Sequence, residues 1–179
     1  MFKHIIDDKL ELKLLNVKDA EELHSLIEDN REYLLKWLPW VYINKSIEDT
    51  KDFVLSSMKQ YGENKGYSAA ICYDDKIVGV IGLQCLNLQH KHVSIGYWLA
   101  EDYQGKGIMT KCCTALINDA FNNYELERVE IRCAEKNYKS RAIPERLGFI
   151  KEGIIRNIEC LNEKYVSHVV YGMLREEWK

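Results

Sequence analysis

Residues 9–15, KLELKLL, alternate apolar and polar positions and predict a half-buried strand. The stretch KDAEELHSLIED that follows switches to helical spacing, with Ala20, Leu23, Leu26 and Ile27 on one face. REYLLKWLPW continues helically until Pro39, and a second helical pattern opens at Ser46. Asp49, three residues on, makes this a variant of the capping box. Phe53, Val54, Ser57 and Met58 are the expected inner face of that helix. The runs YSAAICYDD and KIVGVIGLQCL then meet at Asp75–Lys76, HVSIGYWLA follows a polar turn near Gln89, and together they predict an antiparallel meander.

Past a glycine-containing turn, Cys113, Leu116, Ile117, Ala120 and Phe121 mark another helix. ERVEIRCA sends Val129, Ile131 and Cys133 to one side of a strand. SRAIPERLGF reads as a short helix that Gly148 closes, with Ser140 as its N-cap. FIKEGIIRNIE and YVSHVVYGML supply two last strands. Seven strand-like runs interleaved with helices give an α+β (mixed α/β) fold: a mostly antiparallel sheet of about seven strands flanked by helices, in one domain over residues 1–179.

The charge balance, 25 Lys and Arg against 28 Asp and Glu, argues against sequence-independent nucleic-acid binding, which needs a basic face. The start MFKHIIDDKLELK has no long uncharged core of a signal peptide, and no later run has the length of a membrane span. A soluble, cytoplasmic protein without membrane or nucleic-acid partners is the expectation. The six cysteines (Cys72, Cys85, Cys112, Cys113, Cys133, Cys160) form no C-x-x-C pair and read as reduced thiols in a core, Cys160 among them. His90 and His92 alternate at a strand end without further ligands close by, so no metal is expected.

The chemistry points to DYQGKGIMTKC, residues 102–112. Lys106 lies between the two glycines and no hydroxyl follows in the place a P-loop requires; a dinucleotide fingerprint would need a glycine where Thr110 stands. What remains is a strand, a turn whose glycines let backbone N–H groups converge, and a helix whose N-terminal amides and dipole favour an anion. Gln104-Gly105-Lys106-Gly107-Ile108-Met109 resembles the Gln/Arg-x-x-Gly-x-Gly/Ala signature of the GNAT family of acyl-CoA N-acyltransferases, with Met109 in place of the small last residue. GYWLAEDYQGKGIMT, NYKSRAIPERLGF and YGMLREEW extend the likeness to the branch that contains the ribosomal-protein N-terminal acetyltransferases.

That resemblance implies a GNAT-like fold whose two central strands, HVSIGYWLA and ERVEIRCA, splay apart. The pantetheine arm of acetyl-CoA would lie between them, paired with backbone near Trp98 and Leu99. It implies Gln104 to Met109 as the pyrophosphate cradle and Asn137 as a contact to the pantetheine amides. It also implies Glu159 as the base that deprotonates the acceptor amine. Many GNAT enzymes carry a tyrosine acid where this chain has Pro144, and by resemblance to this branch Ser140 takes over as donor to the leaving thiolate. A backbone N–H near Trp98 or Leu99 would stabilise the oxyanion. Cys160, with no neighbouring His, is not expected to carry the acyl group.

Tyr33, Trp37 and Trp40 in REYLLKWLPWV form a second cluster, readable either as packing or as a lid over the acceptor end. The implied activity is acetyl transfer from acetyl-CoA, by direct attack in a ternary complex, to a primary amine, foremost the N-terminal amine of a ribosomal protein. A small-molecule amine such as a polyamine or an aminoglycoside is the alternative within enzymes, and an idle acyl-CoA sensor the alternative outside them. The branch often dimerises, which makes a homodimer possible.

Overall fold

A computed structural model describes residues 3–179. Its centre is one sheet of eight strands: β1 (Lys3–Ile5), β2 (Leu10–Leu14), β3 (Tyr67–Tyr73), β4 (Lys76–Asn87), β5 (His92–Leu99), β6 (Arg128–Ala134), β7 (Ile150–Leu161) and β8 (Lys164–Leu174). The order across the sheet is β1-β2-β3-β4-β5-β6-β8-β7. All pairings are antiparallel except β5 with β6. The seven strand runs read from the sequence are present. The eighth strand is the three-residue β1, which pairs with β2 at one edge and is too short to show alternation.

Five helices flank the sheet: α1 (Ala20–Asp29), α2 (Arg31–Leu34), α3 (Ile47–Gly62), α4 (Ile108–Asn122) and α5 (Tyr138–Arg146). The larger core sets Met109, Cys113, Leu116 and Ile117 of α4 against Ile81, Ile95, Val129, Val169 and Tyr171 of the sheet. The smaller core sets Leu23 and Ile27 of α1 and Val54 of α3 against Ala70, Cys72 and Val80 on the opposite face. A fully buried Leu or Ile contributes about 1.5–3 kcal/mol relative to exposure, so these two layers hold the sheet from both sides. On the second face, over β6, β8 and β7, a charged ladder takes the place of a helix: Arg128 pairs with Glu130 and Glu152, and Arg132 pairs with Glu130.

Several local readings need correction. The turn between β3 and β4 is Asp74–Asp75, both at positive φ as a two-residue hairpin loop requires, one position earlier than expected. The Ser46–Asp49 capping box forms in both directions, at 3.2 and 2.9 Å. The inner face of α3, however, is Thr50, Val54 and Ser57, while Phe53 and Met58 are exposed. REYLLKWLPW is helical only over α2. Single-turn bonds carry the chain to Leu38, and Pro39 then opens a short 3-10 turn, because proline supplies no N–H but suits a first helical position. The cap of α5 is Asn137, whose side chain accepts from Ser140 N–H at 3.2 Å; Ser140 sits in the first turn and is not the N-cap. Cys72, Cys112, Cys113 and Cys133 are buried, whereas Cys85 and Cys160 are exposed. Cys160 lies on the edge strand β7 beside the hairpin turn, where no helix covers it.

Candidate active site

The site begins where two strands part. β5 and β6 pair through His92↔Arg128, Val93↔Val129 and Ser94↔Glu130, and the pairing ends there although both strands run on. The unpaired edge of β5 has a definite phase. Ala100 N–H donates to Val78 O on β4 at 2.8 Å, so the antiparallel alternation turns the backbone of Trp98 toward β4 and that of Tyr97 and Leu99 into the gap. Of the two positions expected to offer backbone bonds, Leu99 is the one that faces the opening. Its carbonyl already accepts from Gln104 Nε2 at 3.4 Å.

The glycine turn closes one end of the gap. Gly105 and Gly107 have φ of +73° and +75°, in the left-handed region that β-branched and bulky residues avoid. A Cβ built on either would meet no protein atom within 4 Å, so the turn presents bare backbone to an open space. Gly107 caps α4, whose first intrahelical bond is Lys111 N–H to Gly107 O at 3.1 Å. The amides of Ile108, Met109 and Thr110 therefore point out of the helix end, a donor set that fits a pyrophosphate. Ile108 and Met109 bury their side chains in the core and offer only backbone here. The Lys106 ammonium lies 4.9 Å over the Tyr103 ring.

Across the gap, Pro144 shapes the opposite wall. A proline N cannot bond the carbonyl four residues back, which frees Ser140 O. The Tyr97 hydroxyl donates to that carbonyl at 3.0 Å. The Ser140 hydroxyl lies 3.4 Å from Tyr97 Oη and 3.2 Å from Cys133 Sγ, so three polar groups converge between the splayed strands. Burial holds the Tyr97 phenol well above its ordinary value, and burial also raises the Cys133 thiol against the opposing hydrogen bonds from Ser140 and Tyr97. Both stay protonated at neutral pH. Tyr97 escaped the sequence reading because its alternation marks it only as inward-facing.

The other end is built from side chains. Arg31 donates to Val41 O at 2.8 Å and Asn44 O at 2.6 Å and pairs with Glu28, which pins the loop that carries Trp37 and Trp40. Trp40 packs on Trp98 with ring centroids 6.1 Å apart. Gln104 spans the opening: Nε2 meets Tyr33 Oη at 2.5 Å and Oε1 accepts from Lys139 Nζ at 3.0 Å. The tip of the β7–β8 hairpin reaches the same loop, because Asn162 bonds Tyr42 and donates to Leu35 O at 3.5 Å. Glu159, three residues before Asn162, meets His168 on β8 at 3.1 Å.

Between these ends lies a cavity of about 950 Å³. Its lining brings together Tyr33, Trp37, Trp98, Leu99, Gln104, Gly105, Gly107, Ile108, Met109, Asn137 and Ser140. Of the residues singled out in the sequence, Lys106, Trp40 and Glu159 are not in that lining. Thr110, Lys111, Lys139 and Arg146 join it unforeseen, with Arg146 Nη1 2.9 Å from Thr110 Oγ1. The three basic side chains sit in unremarkable polar helix positions, so only the assembled fold reveals them. Among the described residues no group of three His, Cys, Asp or Glu side chains is placed to hold a metal ion, and no helix is long and apolar enough to cross a membrane.

Along nearly its whole length the chain is similar to known proteins. YdaF, a proposed ribosomal N-acetyltransferase of Bacillus subtilis (strain 168), is 37% identical over 180 residues, covering 100% of this chain and 98% of its own. The ribosomal-protein-serine acetyltransferase of Escherichia coli (strain K12) is 32% identical, covering 94% of each chain. The microcin C7 self-immunity acetyltransferase MccE, solved with acetyl-CoA and AMP, superposes with a TM-score of 0.90 at 32% identity over 94% of each chain. Residues 9–150 match the model of the acetyltransferase (GNAT) domain, and the chain belongs to that family of N-acetyltransferases.

Proposed function

We infer that this chain transfers acetyl from acetyl-CoA to the N-terminal amine of a protein, foremost a ribosomal protein, by direct attack within a ternary complex. The observation that carries the reading is the continuous cavity from the glycine turn to the aromatic loop, lined on the way by the open edge of β5. Acetyl-CoA supplies the activated acetyl group. The amides after Gly107 would hold its pyrophosphate, Asn137 and the open edge of β5 its pantetheine, and Leu99 N–H the developing oxyanion. Glu159 takes one proton from the acceptor ammonium, which frees the lone pair for attack on the thioester carbonyl. As the C–S bond breaks, the nitrogen loses its second proton and the thiolate gains one, with the Ser140 hydroxyl as its donor and relay. The proton on Glu159 returns to water.

The ribosomal acceptor draws support from the names of the Bacillus and Escherichia relatives. A small-molecule amine is the second reading, in line with MccE, whose structure holds the small molecule AMP beside acetyl-CoA and which stands at the same 32% identity as the Escherichia enzyme. Purified protein, acetyl-CoA and a panel of ribosomal-protein N-terminal peptides, spermidine and an aminoglycoside decide between them through free-thiol release. Turnover on a peptide with little on the small amines is the expected result. CoA binding without turnover on any amine would instead mark an acyl-CoA sensor. Glu159→Gln is expected to lower kcat by about 10²–10⁴, the usual worth of a general base. Full rate in that variant would overturn the base assignment.

A further inference from the structure

His168 has no part in the chemistry above, yet it touches the group that begins it. It lies on β8 between Ala134, the last residue of β6, and Ile155 of β7. Val169, Tyr171 and Met173 point into the core under α4 and α5, so strand alternation sends His168 to the opposite face. Trp98 is on that face, packed with the smaller core. Glu159 is there too, because it pairs with Val166, two positions from His168. The His168 side chain is 17% exposed and that of Glu159 29%, and Nε2 meets Oε2 at 3.1 Å. The register of β7 slips between Ile155 and Glu159, so the carboxylate emerges from an irregular strand segment that does not itself fix its direction.

We propose that His168 is the positioning residue of Glu159. This rests on the reading of Glu159 as the base. Nε2–H of the imidazole donates to Oε2 and holds the carboxylate in one orientation, leaving Oε1 turned to the acceptor amine. The proton taken from the ammonium binds Oε1 and departs to water; the imidazole neither gains nor loses one. The hairpin tip, tied to the aromatic loop through Asn162, fixes the distance between this pair and the acceptor end. Reach of that kind matters because a displacement of about 1 Å can cost on the order of 10² in rate.

The test compares two substitutions with the amine panel's best acceptor. His168→Leu keeps bulk but offers no donor; His168→Gln places an amide N–H where Nε2 was. The leucine variant is expected to lose about tenfold in kcat with the KM for acetyl-CoA unchanged, and the glutamine variant to recover to within about threefold of wild type. Combining His168→Leu with Glu159→Gln is expected to be no slower than Glu159→Gln alone, as for two residues acting as one unit. Equal rates in the leucine and glutamine variants, fast or slow, overturn the proposal while Glu159→Gln still tests the base separately. A wild-type rate in Glu159→Gln overturns the base reading first and this one with it.

Discussion

The two ends of the cavity are built by different means. At the glycine end, the left-handed turn at Gly105 and Gly107 leads into the helix-start amides of Ile108, Met109 and Thr110, so bare backbone faces the opening. At the aromatic end, side chains come from the 33–42 loop, from β5 and from the β7–β8 hairpin. They are held by cross-links through Arg31, Gln104 and Asn162. Backbone recognition is indifferent to most substitutions that keep the turn, whereas a side-chain wall changes with each residue in it. Under the proposed function, one fold would keep its donor and leave its acceptor free to vary.

Gly107→Val is expected to have the largest effect and to break only the first end. Its φ of +75° strains a β-branched residue by about 1–2 kcal/mol, while no protein atom lies within 4 Å of the new Cβ. The fold is therefore expected to survive with a Tm a few degrees lower. The side chain would stand over the amides of residues 108–110, and calorimetry is expected to detect no CoA binding. Gly107→Ala is expected to weaken binding by about tenfold, or 1.4 kcal/mol. Wild-type affinity in the valine variant would place the anion cradle elsewhere and dissolve the contrast between the ends.

That contrast also explains what the sequence disclosed. The glycine turn was legible because a turn between a strand and a helix is local, while its reading as an anion cradle came from the resemblance of Gln104 to Met109 to the GNAT signature. The larger core was legible for the same reason: Cys113, Leu116 and Ile117 repeat at helical spacing. The Tyr33–Gln104–Lys139 bridge joins residues 71 and 35 positions apart, and no periodicity encodes it. His168 looked like any polar position of an alternating strand, and only the register of β7 on β8 sets it beside Glu159. Pro144 was noted for the tyrosine it replaces. Its structural consequence, a freed carbonyl taken by Tyr97, needed the packing of β5 against α5.

Arg31→Ala is expected to act on the other end alone. The guanidinium holds two loop carbonyls at 2.8 and 2.6 Å, and hydrogen bonds from a charged donor are each worth about 1.5–3 kcal/mol. Their loss is expected to lower stability by about 2 kcal/mol in this half-buried place. It would also free the loop that carries Trp37 and Trp40. The KM for the acceptor is expected to rise about tenfold while CoA affinity by calorimetry stays within twofold. A parallel loss of CoA affinity would show that the ends are coupled through the Tyr33–Gln104 bond.

Glu130→Gln probes the ground between the ends and is expected to have the smallest effect. Glu130 belongs to the last β5–β6 pair before the gap and takes Arg128 and Arg132 together. Burial alone would push its carboxyl up, but the hydrogen bonds and charges of the two guanidiniums outweigh burial and hold it below the ordinary 4.5. A carboxyl depressed in the folded state stabilises fully above its unfolded pKa, and the benefit fades as pH falls through the lower native value. The Tm gap between wild type and Glu130→Gln is therefore expected to be a few degrees at pH 7 and to shrink progressively below about pH 4.5. Both KM values are expected to stay within twofold, since Glu130 reaches neither the glycine turn nor the aromatic loop. An acceptor KM that rose as in Arg31→Ala would extend the side-chain end down to the base of the splay. The charged ladder over β6, β8 and β7 would then belong to the acceptor's path and not to the scaffold.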